Sequence, residues 1–320
     1  MATSEQIKAL LRSHFENDKD RFSSIALQMA AHEARLGHTA LARDIKNLVD
    51  KSKKTKVTQF PKSKEMGDFF VAFNPDEKLA DMVASDVLKE RIVRILKEYR
   101  AKETIQKHGL THRRKILLSG PPGTGKTMTA KIIANDLGLP LYVIQMDKLM
   151  TKYMGETSAK LRLVFEFIQS DHGVFLFDEF DAIGADRGMD NDVGEMRRVL
   201  NSFLQFIEND TSDNIVIAAT NNINLLDGAL FRRFDDVVDY SLPSVDEICK
   251  LINNNVGSFG RDFSSDRIAN EANGLSHAEI VKACHDSAKE AILLRLNIIS
   301  EESILNAISE RQGAYKNKKG

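Results

Sequence analysis

Residues 115–127 read KILLSGPPGTGKT, and this stretch decides the fold class. Its apolar start predicts a buried strand, and the glycines that follow allow a tight turn whose backbone N–H groups point at phosphate oxygens. A helix is predicted to begin near the lysine, so the positive end of its dipole faces the same point. Lys126 is expected to reach the β- and γ-phosphates of a nucleotide. The stretch is therefore a P-loop, and the expected nucleotide-binding residues are Gly120, Pro121, Pro122, Gly123, Thr124, Gly125, Lys126, Thr127 and Met128.

A second stretch, GVFLFDEFDAIG at residues 173–184, predicts what happens to the nucleotide. Its apolar residues place Asp178 at the carboxyl end of a buried strand, where ligands bind in open α/β sheets. Asp178 and the Thr127 hydroxyl are expected to hold Mg²⁺. Glu179 is positioned to polarise an attacking water, so hydrolysis of ATP is predicted rather than binding alone. Asp181 is ambiguous, because it is also suited to cap the helix that follows.

The rest of the chain alternates between short apolar runs and helical segments. Five such runs predict a parallel, doubly wound sheet, at residues 115–120, 141–146, 174–178, 215–220 and 237–242. Beyond Pro243 the pattern is helical again, which indicates a separate small subdomain. The predicted division is residues 1–52 as an N-terminal helical domain that docks a partner or substrate, 53–73 as a basic linker, 74–243 as the ATPase subdomain, and 244–320 as a helical lid with a C-terminal tail.

The composition favours an ordinary globular protein, with 42% hydrophobic and 28% charged residues and a net charge of −1. This charge gives no support to nucleic-acid binding. The one basic run, residues 51–64, has six lysines and is typical of a solvated linker; a phosphate-binding arm is the alternative. The sequence has neither the apolar segment of a secretory signal nor a run long enough to span a membrane, so we expect a cytoplasmic protein that does not enter membranes.

Four motifs follow one another in the order and spacing of the AAA+ ATPases: GPPGTGKT, FLFDEFDAIG, IVIAATNN and LLDGALFRRFDD. The chain resembles the branch of that family that remodels or threads proteins, over the region from about Asn74 to Ile292. The resemblance implies an α/β fold of the AAA+ P-loop NTPase type, with a five-stranded parallel sheet, a C-terminal helical lid and here a small N-terminal helical domain. It also implies ATP and Mg²⁺ as cofactors and a homo-oligomeric, hexameric ring.

The resemblance assigns roles to three residues beyond the P-loop. Asn221 corresponds to the sensor that contacts the γ-phosphate or the water, although asparagine is also an ordinary turn residue. Arg232 and Arg233 stand where the family has arginine fingers, which act on ATP bound by a neighbouring subunit. The family often has Arg-Pro-Gly-Arg there, so adjacent arginines leave their division of labour open. A surface ion pair with Asp235 or Asp236 is the alternative.

The adenine side of the site is also assigned by resemblance. The segment GLSHAEIVKACHDSA, residues 274–288, is similar to the second sensor region, which implies that Ser276 and Ala278 lie near the nucleotide. His277 replaces the usual glycine, so the packing on the adenine side is expected to differ. Met82 and Val83 align with the segment that contacts adenine in the family.

The loop KYMGE, residues 152–156, contains large apolar side chains where a polar loop is expected before a helix that starts at about Ser158. It resembles the first pore loop of the family. Tyr153 and Met154 would grip a polypeptide in the central pore, and Lys152 would add weak steering. Packing of the pair against its own domain is the alternative. The glycine-rich residues 184–195 fit a second pore-facing loop.

Two classes of function remain. A motor that remodels, unfolds or threads protein is favoured by the aromatic loop and the near-neutral charge, whereas a nucleic-acid loader or initiator would want basic loops. Residues 22–50 and 185–208 further resemble small bacterial ATPases that are paired with a subtilisin-like serine protease, in plasmid maintenance or phage defence. Whether such a protease is fed, activated or restrained stays open.

Overall fold

The computed structural model describes residues 13, 19–39, 41–46, 69–150, 154–183, 192–223, 231–256, 259–261 and 263–316. The chain divides into two compact units, Met1–Thr58 and Gln59–Gly320. The first unit contains helix α1, Lys19–Arg35, followed by a helical segment at residues 41–46. Between them His38 Nδ1 lies 2.6 Å from Glu33 Oε2, and this hydrogen bond lowers the pKa of the glutamate.

The second unit is built on a six-stranded sheet in the order β1-β3-β4-β5-β2-β6. Its strands are β1 Phe70–Phe73, β2 Lys115–Ser119, β3 Leu141–Ile144, β4 Val174–Phe177, β5 Ile215–Thr220 and β6 Asp236–Asp239. Strands β2 to β6 pair in parallel, which confirms the predicted five-stranded parallel sheet.

Strand β1 was not predicted, and it runs antiparallel to β3 with Phe70 opposite Ile144. It lies in the stretch assigned to the basic linker, so the predicted boundary at residue 74 is wrong. The strand was missed because its short apolar run follows many lysines, and the average hydropathy of the whole stretch is polar. The run nevertheless covers the edge of β3. Phe70 is only 3% exposed and packs in the core beside Tyr142 and Phe167.

Helices cover both faces of the sheet and form the lid. They are α2 Asp86–Arg100, α3 Lys102–Lys107, α4 Lys126–Leu137, α5 Met146–Leu149, α6 Met154–Ser170, α7 Asp192–Asn209, α8 Val245–Asn255, α9 Ser265–Glu271, α10 His277–Leu293 and α11 Glu301–Lys316. In the described part of the chain, none of these helices is long and apolar enough to cross a membrane.

The core has one layer on each face of the sheet. One layer joins Phe177 to Phe165 and Phe203 of helices α6 and α7, and the other joins Leu176 to Ile92 and Ile133 of α2 and α4. All residues of β4 and β5 are buried, as expected for parallel strands with helices on both sides. Central strands of this kind hold the loops at their carboxyl ends in fixed positions.

The lid comprises helices α8 to α11 and has a hydrophobic core of its own. It also contains a two-stranded parallel sheet that the sequence did not predict, β7 Gly260–Arg261 and β8 Ile298–Ile299. Its first helix begins after Ser244, whose hydroxyl accepts from the backbone of Glu247 while the glutamate accepts in return. This capping box sets the start of the lid.

Candidate active site

The P-loop lies between the end of β2 and the start of α4, as the sequence predicts. Gly120 has a φ of +144°, and a Cβ built there would lie 2.2 Å from the Tyr240 carbonyl oxygen. This closeness follows from the pairing of β2 with β6, in which the Tyr240 N–H donates to the Ser119 carbonyl at 2.6 Å. The loop therefore starts in a position that only glycine fits.

Lys126 lies inside the loop and is 6% exposed. Its Nζ donates to the carbonyl oxygens of Gly120 at 2.7 Å and Pro121 at 2.9 Å. Burial lowers the pKa of this amine, and the nearby carboxylates of Asp178 and Asp181 act in the opposite direction. The loop thus places a cationic group where a phosphate chain would bind.

The other P-loop residues surround this amine. Thr124 is 3% exposed, and its hydroxyl donates to the Pro121 carbonyl at 2.8 Å. Pro122 is exposed at the tip of the loop. Met128 is half-buried and packs against the core layer beneath α4.

Two oxygen groups stand together beside the P-loop. Thr127 Oγ1 donates to Asp178 Oδ2 at 2.7 Å, across the gap between the start of α4 and the end of β4. A hydroxyl and a carboxylate suit Mg²⁺, which prefers oxygen ligands and usually takes the rest from water and phosphate. Among the described residues, no cluster of three or more His, Cys, Asp or Glu side chains is arranged to hold a metal by itself. The pair fits an ion that arrives with a nucleotide.

Glu179 is exposed directly after β4 and has a φ of +52°. Its N–H donates to Asp178 Oδ1 at 3.0 Å, and its carbonyl accepts from the Ala182 N–H at 2.8 Å. A left-handed conformation costs a non-glycine residue about 1 kcal/mol or more and persists where the surroundings enforce it. The strained turn separates two adjacent carboxylates, one held at Thr127 and one left accessible.

Asp181 contacts the strand beside this turn instead of capping a helix. It lies in a 3₁₀ turn, Phe180–Ile183, and its Oδ1 accepts from the backbone N–H of Asn221 at 3.1 Å. Among the described residues the next α-helix is α7, which begins at Asp192, so Asp181 does not cap it. Asn221 itself is exposed at the end of β5, on the same edge of the sheet as Asp178.

The residues expected on the adenine side lie against the P-loop. Met82 is 3% exposed, and its Cε is 3.5 Å from the position of a Cβ built on Gly125. The Thr129 hydroxyl lies 4.0 Å from Met82 Sδ. Val83, the next residue along the chain, packs instead on the hydrophobic core of the lid. The sequence thus located a segment that lies at the junction of P-loop and lid.

The lid makes direct contact with the P-loop. The Ala278 N–H donates to the Gly123 carbonyl at 3.0 Å, and Ser276 caps helix α10 by accepting from the Glu279 N–H. His277, between them, has a buried Nδ1 without a hydrogen-bond partner among the described residues. Burial lowers the pKa of His277, with Glu247 acting in the opposite direction, so its ring is neutral at pH 7. The contact between the lid and the P-loop is therefore a backbone hydrogen bond and not an ion pair.

We expect Gly123→Ala to weaken nucleotide binding about tenfold or more, because its Cβ would meet Ser276 Oγ at 2.6 Å and push the lid away. Gly138→Ala is the matched control, since Gly138 also has a positive φ, of +66°, but none of the described residues has an atom within 4 Å of a Cβ built there. Calorimetric titration with ATP measures both. Adding Ser276→Gly to Gly123→Ala should restore part of the affinity; no recovery would show that contact with the lid is not the cause.

The two arginines differ in their surroundings. Arg233 Nε lies 3.2 Å from Glu208 Oε2 at the end of α7. Arg232 is exposed and has no ion pair within the described part of the chain. The alternative partners are engaged elsewhere: Asp235 accepts from the backbone N–H groups of Arg114 and Lys115, and Asp236 pairs with Arg91. An ion pair with either aspartate, which the sequence left open, is wrong.

The expected pore loop lies mostly outside the described residues, which include neither Lys152 nor Tyr153. Met154 is the first residue of helix α6, so the helix begins four residues before the predicted start at Ser158. Of the second expected loop, residues 184–191 also lie outside the described part, and residues 192–195 form the start of α7.

Sequence reasoning missed two buried polar residues that contact each other next to the P-loop. Tyr240 OH and Thr129 Oγ1 are 2.6 Å apart, and burial raises the pKa of the tyrosine. Tyr240 is 5% exposed and Thr129 is fully buried. The tyrosine within the predicted strand VVDYSL, residues 237–242, was the available signal, because a buried hydroxyl needs a partner.

The P-loop, the Thr127–Asp178 pair and the lid together define a P-loop nucleotide-binding protein, and comparisons with known proteins identify its family. The model of the ATPase family associated with various cellular activities (AAA) matches residues 116–242. An uncharacterized AAA family ATPase of Sinorhizobium fredii is 33% identical over 317 residues, which cover 97% of this chain and 96% of the relative. The chain therefore belongs to the AAA family of ATPases, and it hydrolyses ATP.

A second relative matches a smaller part of this chain. A putative 26S proteasome regulatory subunit homologue of Methanothermobacter marburgensis is 32% identical over 204 residues, which cover 62% of this chain and 55% of the relative. The chain thus spans about half of that protein. Both relatives confirm the resemblance to the AAA family that the motifs indicate.

Proposed function

We propose that the chain is a ring-forming motor that uses ATP and Mg²⁺ to remodel, unfold or thread protein in the cytoplasm. The observation that carries this proposal is the Thr127–Asp178 pair at 2.7 Å beside the buried Lys126 amine, with Glu179 accessible next to it. These groups match the needs of phosphoryl transfer to water: a cation for the phosphates, ligands for Mg²⁺, and a carboxylate for the water.

The hexameric ring is proposed from the resemblance and from the position of Arg232. Arg232 is exposed shortly before β6, whereas the P-loop follows the carboxyl end of the parallel strand β2 at the opposite edge of the sheet. An arginine that stabilises charge on a γ-phosphate must reach a nucleotide. A head-to-tail ring supplies that nucleotide from the next subunit and closes without free ends. The assembly would then switch on hydrolysis only where two subunits meet.

A protein substrate is proposed from the pore loop and from a relative. Lys152, Tyr153 and Met154 would line the centre of the ring, where a tyrosine and a methionine adapt to varied side chains. The relative named as a proteasome regulatory subunit homologue supports a role on proteins. The net charge of −1 gives no matching support for a nucleic-acid substrate.

The proposal also gives a role to each part of the chain. Residues 1–52 would dock a substrate or partner, the basic part of the predicted linker 53–73 that precedes β1 would connect them to the motor, and the lid from residue 244 would close over the nucleotide. The partner that we propose is a subtilisin-like serine protease, in plasmid maintenance or phage defence. The motor would supply the mechanical work and the partner would cut.

The substitution Tyr153→Ala tests the substrate proposal. We expect it to leave basal ATP hydrolysis within about twofold and to abolish ATP-driven work on a protein substrate, because truncation removes the gripping surface and not the catalytic groups. Unfolding of a tagged reporter protein and phosphate release measure the two activities. Tyr153→Phe is the control and should keep most of the work.

A trapped complex identifies the substrate. The slow variant Glu179→Gln, expressed in the native host with ATP, should retain protein in the pore. Recovery of nucleic acid in place of protein would overturn the proposal, and so would full reporter unfolding by Tyr153→Ala.

A further inference from the structure

Asp181 is held on a rigid support beside the nucleotide site. Its turn, Phe180–Ile183, follows Glu179 directly and is closed by the bond from the Ala182 N–H to the Glu179 carbonyl at 2.8 Å. Phe180 is fully buried, with its ring centroid 4.5 Å from that of Phe203 in helix α7. A carboxylate on such a turn has little freedom to move, so its position is set by the core.

The carboxylate spans the gap from this turn to the neighbouring strand. Its Oδ1 accepts from the Asn221 N–H at 3.1 Å, at the point where the chain leaves β5. Strand β5 pairs with β4 up to Ala218, opposite Phe177, and with β2 up to Thr220, opposite Ser119. The hydrogen bond to Asp181 then holds the first residue after the strand on the side of β4, where the pairing has already ended.

The turn that carries Asp181 is continuous with the acidic end of β4. It follows directly after Asp178 and Glu179, and Asp178 Oδ2 accepts from Thr127 Oγ1 at the start of α4 at 2.7 Å. Asp181 therefore lies in the segment that also carries the two carboxylates of the site, and its hydrogen bond reaches the residue expected to sense the γ-phosphate.

We propose that Asp181 is a positioning residue for hydrolysis: its bond to the Asn221 backbone fixes where the chain leaves β5, and hence where the Asn221 amide meets the γ-phosphate or the water. The inference rests on the proposed role of Asn221. An ionised acceptor makes this bond stronger than a neutral one would, and it leaves the asparagine side chain free for the nucleotide.

The test is a double-mutant cycle on purified full-length chain. Asp181→Ala should lower kcat about tenfold to a hundredfold, as expected for losing a hydrogen bond to a charged group, with KM for ATP little changed. Asp181→Asn keeps an acceptor oxygen and should recover most of kcat. In the Asn221→Ala background, Asp181→Ala should cause no further loss, because the side chain that it positions is absent.

A matched control separates positioning from stability. Glu98 also accepts a backbone N–H, that of Arg113 at 2.9 Å, before the amino end of β2 and away from the site. Glu98→Ala should lower the melting temperature and leave kcat unchanged. Equal losses of kcat in Asp181→Ala and Glu98→Ala would overturn the inference, since both would then act through stability.

Two further outcomes distinguish this inference from the function on which it rests. Normal turnover of Asn221→Ala would refute the role of Asn221, and the positioning role with it. In a second outcome, Asn221→Ala lowers kcat and the double variant has a kcat lower still. The role of Asn221 then stands, and only the positioning role of Asp181 fails.

Discussion

Glu179→Gln is expected to bind ATP with normal affinity and to hydrolyse it about 10²–10⁴ times more slowly than the native chain. The amide keeps the size of the side chain and the strained turn with φ of +52°, but it cannot take a proton from water. Lys126, Thr127 and Asp178 are untouched, so the contacts that bind phosphate and Mg²⁺ remain. Phosphate release under saturating ATP measures the rate, and calorimetry measures the affinity.

Glu166→Gln is the matched control for this change. Glu166 is an exposed glutamate on helix α6, and within the described part of the chain its ion pair is with Arg162, one turn earlier, at 3.2 Å. Its replacement should leave hydrolysis unchanged, because exposed pairs of this kind contribute little. Unchanged turnover in Glu179→Gln would overturn its assignment as the group that activates water.

Arg232→Ala is expected to reduce hydrolysis about 10³–10⁵-fold without unfolding the chain. Arg232 is exposed, so truncation removes little packing, and the loss comes from the charge missing at the neighbour's γ-phosphate. Arg233→Ala should have a much smaller effect, since Arg233 already pairs with Glu208 of its own chain. Glu208→Gln should then reproduce the effect of Arg233→Ala. That result would show that the pair serves to orient the segment that carries both arginines.

Mixed rings give the decisive measurement. Arg232→Ala subunits keep a complete hydrolytic site, and Glu179→Gln subunits keep the arginine, so neighbours of the two kinds form working sites that neither variant forms alone. Mixing the two inactive chains should therefore restore part of the turnover. If the mixture stays inactive while the native chain is active at the same concentration, Arg232 does not act across subunits.

The sequence predicted those parts of the fold that depend on local pattern. The five parallel strands, the P-loop and the acidic end of β4 each carry a signal within about ten residues, because burial on both faces demands continuous apolar runs. The start of α6 at Met154 was missed, since Gly155 in the first turn is a signal for a loop. Strand β1 was missed because it has only four residues and follows a lysine-rich stretch, which hides its apolar character in the local average.

The residues of the candidate site also fall into those that a local motif predicts and those that only the folded chain brings together. The residues of the P-loop and its acidic partners were assigned by motif, and the structure brings Lys126, Thr127 and Asp178 together. The partners of Asp181 and Arg233 could not be predicted, because Asn221 and Glu208 are neighbours only through the packing of strands and helices. Long-range polar contacts leave no periodic trace in a sequence.

The adjacent residues Met82 and Val83 belong to different cores, one on a face of the sheet and one within the lid. Each core has its own buried interior, and the peptide unit between these two residues joins them. The hydrogen bond from the Ala278 N–H to the Gly123 carbonyl connects the lid to the P-loop a second time. If the chain works as the proposed motor, a change of angle between the two cores would leave both interiors folded.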